Sequence, residues 1–195
     1  MGMHIGLVAA QTSVAELSAA LLKACPNLEL VASQKEFASA DDLWAWKEAN
    51  EQFVSAADWS QDTPGKSVYM FWQDGPWAIL LDPDYTLASN DNLLQTLSST
   101  FGKVLSFVVE SAGGCAFFWC YENGVQRRQI SNTDGEVTLE GEPLAEETGI
   151  DANNYYMEET EALWRAFGIA PYERLESAVG CIAISVIDRT DYSDL

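Results

Sequence analysis

KVLSFVVESAGGCAFFWCYENGVQRRQISN, residues Lys103–Asn132, holds two apolar runs and one polar run, each of strand length and separated by turn residues. Asn123-Gly124 is the strongest hairpin signal in the chain. Both residues tolerate the positive φ that a two-residue type I′ turn demands. In the middle run Phe117, Trp119 and Tyr121 alternate with Phe118 and Cys120, so both faces are apolar. That predicts a central strand covered on both sides. The third run sets Val125, Arg127 and Gln129 against Gln126, Arg128 and Ile130, a pattern suited to a strand nearer an edge.

Upstream, His4–Ala10 reads as a short buried strand. Ser13 with Glu16 three residues on forms a capping box that opens a helix, its inward face carrying Val14, Leu17, Leu21 and Cys25. Pro26 stops it, and a second strand follows with Leu28, Leu30 and Ala32 alternating with Glu29 and Val31. Ser39 opens a second helix with Leu43, Trp46, Asn50 and Phe53 on one face and Trp44 on the flank, as core cover or as a contact residue. Ser60–Lys66 reads as a linker or surface loop. Ser67–Gln73 and Trp77–Asp82 form an antiparallel pair, and Ser89–Phe101 an amphipathic helix ended by Gly102. After the central hairpins come a short strand Val137–Glu140, a polar loop Gly141–Asn154, a helix Met157–Phe167, a short helix from Pro171 and a buried strand Val179–Ile187. Hairpin-length connections predict an α+β fold, a mostly antiparallel mixed sheet with helices packed against it. Residues 1–195 are expected to form a single domain. A subdivision into an N-terminal strand–helix layer, 1–60, and a main sheet, 66–195, is the alternative.

Thirty acidic residues stand against ten basic ones in 195, a formal net charge of -20. Such a surface repels nucleic acid and anionic membranes, so neither is an expected partner. It suits a basic partner, and it also suits solubility or a salty cytoplasm. No apolar run reaches the roughly 20 residues of a bilayer span. Four separated cysteines read as buried thiols, and the expected location is cytoplasmic.

Catalytic signatures are missing from the chain. His4 is the only histidine, so every His-dependent triad or metal cluster would need it. No Cys/His zinc spacing, HExxH or EF-hand loop occurs. Asp82-Pro83-Asp84 reads as a strand-ending turn ahead of a metal site. No catalytic residue, metal or cofactor is therefore assigned. Charge segregation is the feature that remains. From Asp134 to Glu161 ten acids run with no lysine or arginine between Arg128 and Arg165, and aromatic rings are interleaved. The stretch reads either as a solvated acidic loop whose tyrosines pack on the sheet, or as a surface that captures a basic protein. The candidate partner-binding residues are Glu140, Glu142, Glu146, Glu147, Asp151, Tyr155, Tyr156, Glu158 and Glu159. Asp41, Asp42, Glu48, Glu51 and Asp58 with Trp44 and Trp59 form a weaker second cluster.

WAILLDPD (Trp77–Asp84), LLQTLSSTFGKVLSFVVE (Leu93–Glu110), CAFFWCYENGVQRRQIS (Cys115–Ser131) and GEPLAEE (Gly141–Glu147) resemble small acidic bacterial proteins of the polymorphic-toxin immunity type. The likeness runs from Trp77 to Phe167. It implies an α+β protein without catalytic residues that neutralises a basic toxin by masking its active site. The other expectation is an enzyme or small-ligand-binding domain with a pocket against the aromatic sheet.

Overall fold

The computed structural model describes residues 4–52 and 65–189. Phe53, Asp58, Trp59 and most of the Ser60–Lys66 segment lie outside them. Nine strands among the described residues form one sheet: β1 (His4–Ala10), β2 (Leu28–Gln34), β3 (Lys66–Asp74), β4 (Trp77–Leu81), β5 (Lys103–Glu110), β6 (Cys115–Glu122), β7 (Val125–Thr133), β8 (Glu136–Glu140) and β9 (Ile182–Asp188). Their spatial order is β2-β9-β3-β4-β1-β5-β6-β7-β8, and every ladder is antiparallel. The fold is α+β. The N-terminal strands do not form a separate layer. β1 lies mid-sheet between β4 and β5, and β2 forms one edge beside β9.

Both faces of the sheet carry apolar side chains, so helices cover both. On one face lie α1 (Val14–Ala24) and α3 (Asp91–Phe101), packing Leu17, Leu21, Leu93, Leu94 and Leu97 against Val8, Leu80 and Val104. Each buried leucine contributes about 2 kcal/mol relative to exposure. On the other lie α2 (Ala40–Asn50), α4 (Met157–Phe167) and α5 (Pro171–Ser177), packing Leu43, Leu163, Trp164 and Phe167 against Leu7, Phe107 and Phe118. The local signals hold: Ser13 and Glu16 form the capping box, and Gly102 and Gly168 end α3 and α4 at positive φ. Asn123 and Gly124 take φ values of 51° and 80°, as the hairpin required. No described helix is long and apolar enough to cross a membrane.

Three expectations differ from the structure. β6 is third from the β8 edge, and its Phe117 and Trp119 face is only half-covered, the two rings stacking on each other at 5.5 Å. The apolar run from Val179 begins as a turn: Ala178 and Gly180 both adopt positive φ, and Val179 is exposed ahead of β9. Leu30 and Val31 both face solvent where β2 bulges between Leu30 and Ala32, a break in alternation.

The loop after β4 is built around Asp82, which is fully buried. One carboxylate oxygen accepts from the Leu87 and Ala88 N–H groups at 2.7 and 2.9 Å, the other from Asp84 N–H at 3.2 Å. Gly6 of β1 lies beneath this loop, where a Cβ would come within 2.6 Å of the Asp82 carbonyl oxygen and 2.9 Å of the Tyr85 ring. Gly6→Ala is therefore expected to destabilise by about 1–3 kcal/mol in urea denaturation. Burial pushes the Asp82 carboxyl up to about 6 from 3.8, against the pull of its three N–H partners. Its unfolded-state proton leaves first as pH rises, so wild-type stability falls between pH 4 and 6 on this account. Measured against Asp82→Asn across that window, the wild type loses about 3 kcal/mol; a difference that stays flat with pH contradicts the assignment.

Candidate functional site

The acidic segment is positioned by the β6–β7–β8 meander. Asp134-Gly135 closes the second hairpin with φ values of 53° and 86°, and places β8 at the sheet edge. Gly141, at φ +76°, then turns the chain back across β7 so closely that a Cβ there would strike the Arg127 backbone. That approach brings the chain over Arg128, which is 2% exposed. Arg128 donates from Nε to Glu147 Oε1 at 2.9 Å and from Nη2 to Oε2 at 2.8 Å, with Nη1 on the Gly141 carbonyl at 3.0 Å. A fork-to-fork pair of this kind neutralises a cation that water cannot reach. Glu147 belongs to a single 3₁₀ turn, Ala145–Glu147, and also accepts from Leu144 N–H at 2.9 Å.

Nine residues were expected to form a partner surface, and the structure separates them. Glu147 is buried against Arg128 and serves the fold. Tyr155 is also fully buried: its carbonyl accepts from Asn132 Nδ2 at 2.7 Å, and burial pushes its phenol above the ordinary range. Neither presents to a partner, which corrects both assignments. Strand alternation set Arg128 with Ile130 and Asn132 on the face that packs under α4, and a cation at such a position needs a buried carboxylate; the Arg–Glu pairing spans 19 residues and left no local pattern. Glu140 is exposed but points to the opposite face of the sheet, where it accepts from Gln126 Nε2 at 3.4 Å.

Glu142, Glu146, Asp151, Glu158, Glu159 and Tyr156 are all exposed or half-buried. Some of these acids also do local structural work. Asp151 accepts from Asn153 N–H at 3.1 Å and Asn154 Nδ2 at 2.6 Å, and Glu159 accepts from Tyr156 N–H at 3.2 Å. Glu158 and Glu159 occupy the first turn of α4, where the helix dipole favours negative charge.

A cleft of about 330 Å³, open to solvent, lies where the β5–β6 and β7–β8 turns meet this segment. It is lined by Gly114, Asp134, Val137, Asn153, Asn154 and Tyr156, among others. Tyr156 is held by its hydroxyl, which donates to the Ser111 carbonyl at 3.2 Å. Sequence reading named Tyr156 and missed the rest. Two hairpin turns, at Gly113-Gly114 and Asp134-Gly135, close at the same end of a four-strand meander, and that is the signal that places Gly114 beside Asp134.

The remaining candidates are structural in their geometry. His4 is exposed, and its two ring nitrogens face the Glu110 carboxylate and the Pro83 carbonyl. Glu110, which also accepts from Ala112 N–H and the Tyr85 hydroxyl, is held below the usual carboxylate range chiefly by that backbone N–H. Asp82 is occupied by its loop and Asp84 accepts from Ser67. Among the described residues no group of three His, Cys, Asp or Glu side chains could hold a metal ion. In the second acidic cluster Glu51 is largely buried beside Lys47, while Trp44 stays 40% exposed, so it covers the core only in part. The rings that would line a pocket against the sheet fill that space themselves: Phe107 lies 4.9 Å from Phe118 and 6.2 Å from Trp164.

Comparison with known proteins returned no matching family model, no similar curated protein and no similar solved structure.

The division between buried and outer acids is directly measurable. Glu147→Ala strands the Arg128 charge and is expected to cost about 3–5 kcal/mol. Glu146→Ala, its neighbour, is expected to change stability by less than about 0.5 kcal/mol. Denaturant midpoints of the two variants should therefore separate widely.

Proposed function

We propose that this chain is a non-catalytic protein-binding domain whose acidic face, beside the β8 edge, engages a basic protein partner. The form suggested by its sequence resemblance is an immunity protein that masks a basic toxin. One observation carries the reading. Arg128 is paired internally with Glu147, and the run from Asp134 to Glu161 supplies no lysine or arginine to neutralise Glu142, Glu146, Asp151 and Glu158, which are exposed or half-buried. Like charges held this densely raise the energy of the free protein, and a cationic surface relieves it. Such a field steers encounter and selects against acidic competitors, while half-buried rings such as Tyr156 supply contact area that water can leave.

Binding to basic toxin domains, followed by biolayer interferometry across a salt series, tests this. Affinity is expected to fall steeply as salt rises. The combined variant Glu142→Lys, Glu146→Lys, Glu158→Gln, Glu159→Gln should weaken binding at least about tenfold while keeping the native circular dichroism spectrum. Salt-independent binding, or a fully active quadruple variant, would remove the acidic face from consideration.

A further inference from the structure

We propose that the cleft between the β5–β6 and β7–β8 turns receives an arginine side chain of the basic partner. This rests on the reading of the surrounding face as a binding surface, and it names the chemistry of one contact within it. Asp134 stands at the wall of the cleft, its Oδ1 within 2.9 Å of where a Gly114 Cβ would be, so the carboxylate overhangs a stretch of bare backbone. Any side chain at position 114 would close that space. Asn154 gives its side-chain amide N–H to Asp151 at 2.6 Å and also lines the cleft. Asn153, beside it, has its backbone N–H on Asp151 and its side-chain amide uncommitted among the described residues. The cleft is thus lined by a carboxylate and two side-chain amides, with Val137 and Tyr156 beside them.

A guanidinium matches that set. Its five N–H donors lie in one plane and can serve a carboxylate and neighbouring carbonyls together, and its flat face stacks on a phenol ring while the methylene stem lies along valine. An ammonium, a compact point charge, satisfies fewer of these acceptors at once. A cationic ligand also meets the Asp134 carboxylate with opposite charge, which a neutral or acidic one does not.

The probe is a short capped Gly-Ser-Arg-Ser-Gly peptide, titrated at low salt into the whole protein and followed by amide NMR shifts. A twin with citrulline in place of arginine keeps shape and removes charge. The arginine peptide is expected to shift Gly114, Gly135 and the Asn153 and Asn154 side-chain amides, and the citrulline peptide to leave them in place. Asp134→Asn should weaken the arginine peptide about tenfold. Asparagine is at home at positive φ in a type I′ turn, so the fold survives that change. Equal shifts from both peptides, shifts confined to the surface around Glu142 and Glu158, or no shifts at all overturn the cleft assignment. None of those results touches the acidic-face reading, which stands or falls on the salt series with basic domains.

Discussion

Removing a guanidinium from water costs several kcal/mol unless a carboxylate and further acceptors meet it in place. Arg128 in β7 is such a guanidinium, and the path of the chain after β8 is what satisfies it. The reversal at Gly141, the 3₁₀ turn and the bidentate contact from Glu147 all serve that one charge. With the segment tied down at this point, the next residues lie over the exposed underside of the β6–β8 meander. Tyr155 fills the remaining space, its carbonyl fixed by Asn132, and α4 follows with Leu163, Trp164 and Phe167 turned to the sheet.

The same contact shapes the electrostatics of the surface. One acid is withdrawn from the run to neutralise the one buried base, and its neighbours are left facing outward. A stretch that sequence shows as uniformly acidic thereby becomes two populations with different work. Glu147 neutralises Arg128 inside the fold, and Glu142, Glu146, Asp151 and Glu158 remain exposed or half-buried. The cleft sits at the Asp134 end of the meander, while Gly141 and Glu147 lie at its other end, over Arg127 and Arg128.

Local chemistry made much of the fold legible. Capping at Ser13, stops at Gly102 and Gly168 and turns at Asn123-Gly124 depend on neighbours a few residues apart, and each stands where the pattern placed it. Period-two alternation marked β5, β6 and β7 as strands. It did not reveal that β1 is central and β2 an edge, since pairing partners far along the chain leave no periodic trace. The apolar run at Val179 shows a related blind spot: hydrophobicity cannot distinguish a strand from a turn held by Ala178 and Gly180. Charge density marked the acidic run, and alternation marked β7, but neither showed how the two meet. Which acids turn inward was set by Arg128 across the fold, beyond the reach of a window along the chain.

The placement of β1 and β2 has a kinetic side. β1 finds its two neighbours in β4 and β5, and β2 pairs Leu28 with Asp188, nearly the whole described chain apart. Loop-closure entropy must be met before such long-range ladders return any energy, so a topology of this kind folds slowly. The β5–β6–β7–β8 meander, joined by tight turns, is able to zip early and alone. Assembly then runs outward from the half that carries the acidic segment, with the β2–β9 pairing the slow step. Until that ladder closes, the edge of β9 that β2 will cover stays unpaired, the place where a folding chain of this protein is most exposed to meeting another.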